Sequence, residues 1–354
     1  MRPARLNHLR FREPTGGTVS ARFRAMRSAS GTTTATTKED SRFKRGRLLG
    51  RGGSCFVYEA HDRLTNRRVA LKVLPESASG VSIARLAREA RAAMAINHPN
   101  VCATYERGFL DDGRAFLAME LLEGVTLRDH LSQQGRLSPE ESIELAVQVL
   151  AGLEAAHATG LVHRDIKPEN IFLVHDGHRL IVKLVDFGVC RSGVDDLDQQ
   201  TLTSTGYVVG TPGYLAPEQV YGERTIDPRA DLYAVGLVLF EALTGRAAFL
   251  GDDPALLAEA LMQPVPAVRT LVAVPQTLDR IVAHATEREP KSRYPDAATF
   301  QHELLEARTA MRRAGSHSTS SREIAVAASD AWELPTVRLD PNIARRIVRR
   351  RDVA

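Results

Sequence analysis

The sequence predicts an α+β protein: short β-prone runs with one helix over residues 43–123, then mainly helical patterning over 124–312. Three observations predict it. Between Phe43 and Glu120, short β-prone apolar runs are separated by Gly- and Asp-containing turns. From Leu127 onward, apolar residues recur at helical spacing. The run Asp231–Phe240 is apolar nearly all round, as a helix at the centre of a large core must be. A chain of 354 residues suits one large domain, or two lobes sharing a cleft, plus tails.

Residues 1–42 show no apolar periodicity and contain Ser28-Ala29-Ser30-Gly31-Thr32-Thr33-Thr34, so a disordered basic arm is expected there. The fold starts at Phe43. Leu48-Leu49, then Gly50-Arg51-Gly52-Gly53-Ser54-Cys55, then Phe56-Val57-Tyr58 read as strand, glycine turn, strand. Without side chains at Gly50 and Gly52, backbone N–H groups can approach phosphate oxygens. Val69–Leu74 is an apolar strand around one charge, Lys72, and a buried Lys needs a partner. Ser82–Ile96 reads as an amphipathic helix with Ile83, Leu86, Ala90, Ala93 and Met94 on one side, and it carries Glu89. His98-Pro99-Asn100 ends it. Val101–Tyr105 and Ala115–Glu120 read as strands joined through a turn at Asp111-Asp112-Gly113.

In the second lobe, Ser138-Pro139-Glu140-Glu141 is a helix start: Ser at the cap, Pro in the first turn, Glu at the capping-box position. Ile143, Ala146, Val147, Leu150 and Leu153 continue that helix through Ala156. It delivers the chain to His163-Arg164-Asp165-Ile166-Lys167-Pro168-Glu169-Asn170, and Asp186-Phe187-Gly188 follows sixteen residues after Asn170. Asp165 can accept a hydroxyl proton. Asn170 and Asp186 offer the hard oxygen ligands that Mg²⁺ takes. A carboxylate base beside a metal is what phosphoryl transfer requires, because positioning and charge neutralisation carry most of that reaction.

These two stretches resemble the catalytic loop and the metal-binding Asp-Phe-Gly of eukaryotic-like protein kinases, in the style of the bacterial serine/threonine enzymes. Lys167, two residues after Asp165, matches the Ser/Thr version of the loop. The resemblance continues through Gly50, Gly52 and Val57 of the glycine-rich loop, through Lys72, and through Ala216-Pro217-Glu218. It covers about residues 43–312 and departs at Cys55, where the family has its third glycine.

The resemblance implies a two-lobed protein-kinase fold, a small antiparallel β lobe with one helix over 43–123 and a larger, mainly helical lobe over 124–312, with ATP and Mg²⁺ between the lobes, Mn²⁺ being able to substitute. It implies transfer of the γ-phosphate to protein Ser or Thr hydroxyls. Asp165 would orient and deprotonate the hydroxyl, Lys167 would steady the γ-phosphate, and Asn170 and Asp186 would hold the metal. Lys72, set by Glu89, would hold the α- and β-phosphates. Leu49, Gly50, Arg51, Gly52, Gly53, Val57, Ala70, Met119, Glu120 and Leu122 would complete the nucleotide site, with Met119 as gatekeeper and the backbone at Glu120 and Leu122 on the adenine edge. His163 is expected to pack rather than titrate, and His157 to be structural. Asp231 is expected to bond the loop backbone, Arg293 to pair with Glu218, and Thr211 to bond Asp165 and Lys167. Thr203 and Thr205 are the expected autophosphorylation sites, read by Arg164; autophosphorylation would involve a transient homodimer.

The formal charge of +4 is uneven: residues 1–45 hold eleven Lys/Arg against three acids, residues 313–354 eight Arg against five, and the intervening core is net −7. The basic ends read as solvated arms, the second a flexible tail over 313–354, and not as nucleic-acid surfaces. Three scattered cysteines make neither a disulfide framework nor a zinc site, and no apolar run reaches membrane-span length, so a cytoplasmic protein is expected. The acidic core and Glu169 are compatible with basic peptide substrates. Two other readings stand beside the kinase: an ATP-binding scaffold, supported by Cys55, and a small-molecule phosphotransferase, disfavoured by the segment Thr211–Glu218.

Overall fold

The computed structural model describes residues 42–51, 55–176, 179–187, 212–221, 223, 225–249 and 263–318. Gly52, Gly53, Thr203, Thr205 and Thr211 lie outside the described residues, as does the side chain of Glu89.

The first lobe is a five-stranded antiparallel sheet. Its strands are β1 (Phe43–Arg51), β2 (Phe56–Asp62), β3 (Arg67–Val73), β4 (Thr104–Phe109) and β5 (Ala115–Glu120), in spatial order β1-β2-β3-β5-β4. One helix, α1 (Gly80–Met94), accompanies it. The helix begins where Ser79 Oγ accepts from the Ser82 N–H, two residues earlier than the periodicity indicates. Leu86, Ala90 and Ala93 are buried as expected, but Met94 is 44% exposed: the helix turns it away from the sheet. The strand expected over Val101–Tyr105 instead runs Thr104–Phe109. Val101 forms a single parallel bridge to Leu184, so the apolar run Val101-Cys102 serves the junction with the second lobe.

A second, three-stranded sheet, not legible in the sequence, opens the larger lobe: β6 (Gly124–Thr126), β7 (Ile171–Asp176) and β8 (Arg179–Leu184). The helices are α2 (Leu127–Gln134), α3 (Pro139–His157), α4 (Pro217–Val220), α5 (Arg229–Thr244), α6 (Gln276–Ala285) and α7 (Ala297–Ser318). The α3 start is the expected capping box, with Ser138 and Glu141 bonding each other's backbone. Helix α5 is buried from Ala230 through Leu243. Each fully buried Leu or Phe on it contributes about 1.5–3 kcal/mol relative to exposure. It ends at Gly245, whose φ of 77° takes the left-handed cap that glycine tolerates. A Cβ there would also lie 2.7 Å from the Gly135 carbonyl oxygen.

The described residues between 42 and 312 fold around one extensive core, mostly of helical residues, and two smaller clusters beside the first sheet. Residues 313–354 form a separate unit, described only for its first six residues, which are helical. Among the described residues no helix is long and apolar enough to cross a membrane.

Candidate active site

Four elements converge on the loop that follows α3. Asp165 and Lys167 face each other within it, Lys167 Nζ donating to Asp165 Oδ2 at 2.7 Å. Asn170, in the 3₁₀ turn Pro168–Asn170, donates its side-chain amide to the same Oδ2 at 2.9 Å and to the Asp165 carbonyl at 2.8 Å. The Val185 N–H donates to the Asn170 carbonyl at 3.0 Å, which sets Asp186 beside the loop. From the other lobe, Lys72 Nζ donates to Asp186 Oδ1 at 2.6 Å. Burial alone would raise the Asp186 carboxyl. The Lys72 ammonium, with help from Lys167, outweighs it and holds the group below its ordinary range. Asp186 therefore stays a carboxylate.

Further groups hold the loop in shape. Asp231, in the first turn of α5, accepts from the backbone N–H of His163 at 2.8 Å and of Arg164 at 2.7 Å, as expected. Its Oδ2 also accepts from His157 Nε2 at 2.8 Å, which gives His157 its structural role. His163 is fully buried against Phe187, ring centroids 4.6 Å apart. Its Nε2 donates to the Val185 carbonyl and its Nδ1 accepts from the Asp165 N–H, a pattern only the neutral ring satisfies. Burial accordingly lowers its pKa. Arg164 and Asp186 both take left-handed backbone, φ 63° and 57°. Such strain persists only where surroundings impose it. At Arg164 those surroundings are Asp231 and Gln219, whose Nε2 donates to the Arg164 carbonyl.

The residues expected to complete a nucleotide site lie mostly on the first sheet. Gly50 pairs with Val57 and Arg51 with Phe56 across β1–β2, so Leu49 to Arg51 and Val57 frame the turn. Val57 pairs with Lys72, and Ala70 with Met119. Met119 lines a cavity with Leu86, Ala90, Cys102, Asp186 and Phe187. Burial there pushes the Cys102 thiol up to about 12. Glu89 lies on α1. Leu122 is half-buried in the connection between the lobes.

Several supporting residues escape a reading of the sequence. Glu120 accepts at Oε2 from Lys183 Nζ (2.8 Å) and from the Ala103 N–H (3.1 Å), tying β5 to β8. A signal exists for Lys183: it is a lone charge in the apolar run Leu180–Val185, as Lys72 is in its own strand. Arg128, Tyr214 and Glu241 form a buried network with Glu169 for which no local signal exists. Glu218 and Arg293 form the expected ion pair, two parallel bonds at 2.7 and 2.8 Å, both residues buried.

A divalent cation suits what is present. Asn170 and Asp186 supply oxygen donors, and Mg²⁺ characteristically takes one or two such ligands and completes its shell with water and substrate phosphates.

The family model described as protein kinase domain matches residues 43–319. The serine/threonine-protein kinase PknL of Mycobacterium tuberculosis is 41% identical over 270 residues, 75% of this chain and 65% of that protein. The serine/threonine-protein kinase PknB of Mycolicibacterium smegmatis is 38% identical over 271 residues, 75% of this chain and 42% of that one. The chain thus spans less than two thirds of these curated relatives. Among solved structures, the kinase domain of Mycobacterium tuberculosis PknI is similar at a TM-score of 0.61 and 25% identity, over 77% of this chain and 99% of that one.

Proposed function

The chain belongs to the protein kinase family, and from that premise we propose that it is a serine/threonine protein kinase that transfers the γ-phosphate of ATP to protein Ser or Thr hydroxyls. The observation that carries this reading is the Asp165–Lys167–Asn170 cluster with the Lys72–Asp186 pair beside it. These groups come from both lobes and supply a base, two cations and two metal ligands. A small-molecule phosphotransferase shares such a loop but not Ala216-Pro217-Glu218.

Asp165 is the group that orients and deprotonates the acceptor hydroxyl. Its Oδ2 is already shared by Lys167 and Asn170, which fix the carboxylate's direction. Lys167 then lies where the γ-phosphate charge develops, and Lys72 serves the α- and β-phosphates. Asn170 and Asp186 would hold Mg²⁺, which supplies charge neutralisation between the phosphates when bound. Leu49, Gly50, Arg51, Gly52, Gly53, Val57, Ala70, Glu89, Met119, Glu120 and Leu122 form the nucleotide site in this reading. Residues 43–312 are its kinase domain, flanked by basic arms. Phosphorylation of Thr203 and Thr205, in a transient homodimer, is its switch. A cytoplasmic location accords with the scattered cysteines, of which Cys55 and Cys102 are free thiols.

The test is phosphate transfer from labelled ATP with Mg²⁺, comparing wild type with Asp165→Asn, followed by phosphosite mapping. Label on Ser or Thr in the wild type, lowered about 10²–10⁴-fold in the variant, is the expected result. Equal transfer by both proteins would remove Asp165 from its role. ATP binding with no transfer by either would favour the scaffold.

A further inference from the structure

We propose that Lys183 is a positioning residue for the nucleotide: through its ion pair with Glu120 it fixes the Glu120 carbonyl that meets the adenine edge. The inference rests on the kinase reading and deepens it.

Glu120 is the last residue of β5, where the first lobe gives way to the connection into the second. It is bonded to Ala103 twice. The Glu120 N–H donates to the Ala103 carbonyl at 2.8 Å, and the Ala103 N–H donates back to Glu120 Oε2 at 3.1 Å. Lys183 Nζ donates to that same Oε2 at 2.8 Å. The buried Cys102 thiol donates to the Glu120 carbonyl at 3.7 Å, a weak sulfur bond that leaves the carbonyl a second lone pair for a ligand. With its N–H spent on Ala103, the backbone group that Glu120 can offer to adenine is that carbonyl.

These bonds close a ring across the junction of the lobes. Lys183 lies on β8, beside Leu184. The Leu184 N–H donates to the Asn100 carbonyl at 2.8 Å, and the Leu184 carbonyl accepts from the Cys102 N–H at 2.9 Å. The ring runs from Glu120 to Lys183 and Leu184, then through Cys102 and Ala103 back to Glu120. Asp186, the expected metal ligand, follows Lys183 by three residues, so the ring ties the adenine end of the site to its metal end. The pair is partly shielded, its side chains 15% and 26% exposed. Without Lys183, a mostly covered carboxylate keeps one backbone donor. Such a charge gains by turning to water. That turn releases Ala103 and frees the end of β5 to shift.

The test separates positioning from simple charge, because Lys183 is also a cation close in sequence to Asp186. Adenosine, which is neutral and needs no metal, is the probe, and its binding to the full chain is read by calorimetry. Lys183→Met is expected to weaken adenosine about fivefold or more and to raise KM for ATP by a similar factor, while kcat and the KM for a peptide substrate stay within about twofold. Lys183→Arg keeps the pair and is expected to bind adenosine as wild type does. Glu120→Gln is expected to reproduce the loss, and the double variant Glu120→Gln with Lys183→Met to bind about as weakly as either single one. Unchanged adenosine binding in Lys183→Met overturns the proposal, even where ATP binding falls, since that pattern is a charge effect on the phosphates. Losses that multiply in the double variant overturn it too, because Lys183 then acts without Glu120. Should Lys183→Met not fold, Glu120→Gln and Lys183→Arg decide. Wild-type binding by Glu120→Gln overturns the proposal, and a loss there with wild-type binding by Lys183→Arg supports it. Wild type that binds adenosine but transfers no phosphate fails the kinase reading alone, and the adenosine ratios still judge the pair. Wild type that binds no adenosine overturns both.

Discussion

Lys72 Nζ and Asp186 Oδ1 lie 2.6 Å apart, joining the third strand of the first lobe to the segment after β8 across 114 residues of chain. One residue is nearly buried and the other is 42% exposed toward the cleft. The pair therefore places a cation and a partly exposed, partly desolvated carboxylate at the site.

Replacing Lys72 with Met is expected to lower kcat/KM by about 10²-fold or more, since in the proposed function it removes a preorganised charge that serves the phosphates. Thermal stability is expected to change little, because methionine is close to lysine in length and volume and Lys72 is nearly buried in β3. Transfer assays and a melting curve on one preparation separate the two effects. Retained transfer would show that Lys72 serves the fold alone.

Arg293→Met is expected to destabilise by about 3–5 kcal/mol. Arg293 forms two bonds to Glu218 and further bonds to the carbonyls of Glu287, Arg288 and Arg229. Its loss leaves a buried carboxylate and several carbonyls without a donor. The urea midpoint measures it, and a shift equivalent to under about 1 kcal/mol would contradict the buried-pair account.

Gly236→Ala is expected to cost about 1–3 kcal/mol through overpacking. A Cβ at Gly236 would lie 2.7 Å from Thr286 Cγ2 and 2.9 Å from Ala285 Cβ, where α5 meets the end of α6. Elsewhere a Gly→Ala change in a helix stabilises by propensity, so the sign of the melting shift is itself the test.

His163 makes stability depend on pH in a stated direction. Its folded pKa lies below the ordinary 6.5 because burial disfavours the charged ring. Below 6.5 the unfolded chain binds a proton that the folded protein resists, so stability falls as pH drops from there. His163→Phe keeps the ring against Phe187 but cannot titrate. Its unfolding free energy is expected to fall less steeply than that of wild type between about pH 6.5 and 5. Parallel curves would assign the slope to other groups.

Much of the site was legible because its information is local. Asp165, Lys167 and Asn170 sit within one short loop, and their spacing alone lets them meet. The capping box at Ser138 and the all-apolar α5 are equally local patterns, and both form as expected. Helix α1 was misjudged by two residues because Ser79, not the apolar period, starts it. The strand at Val101 was misplaced for a different reason. An apolar run announces burial but not the partner, and here the partner is Leu184 in the other lobe.

What the amino-acid order determined was the set of elements, the family resemblance and the reactive groups, since periodicity, caps and motif spacing act over a few residues. What only the tertiary structure decided was which charges meet. Glu120 with Lys183, His157 with Asp231, and Arg128 with Glu169, Glu241 and Tyr214 are separated by between 41 and 113 residues. Nothing local marks one Glu among many as the partner of one Arg. Packing brings them into a region of low dielectric, where an unpaired charge is costly, and that cost selects the pairs.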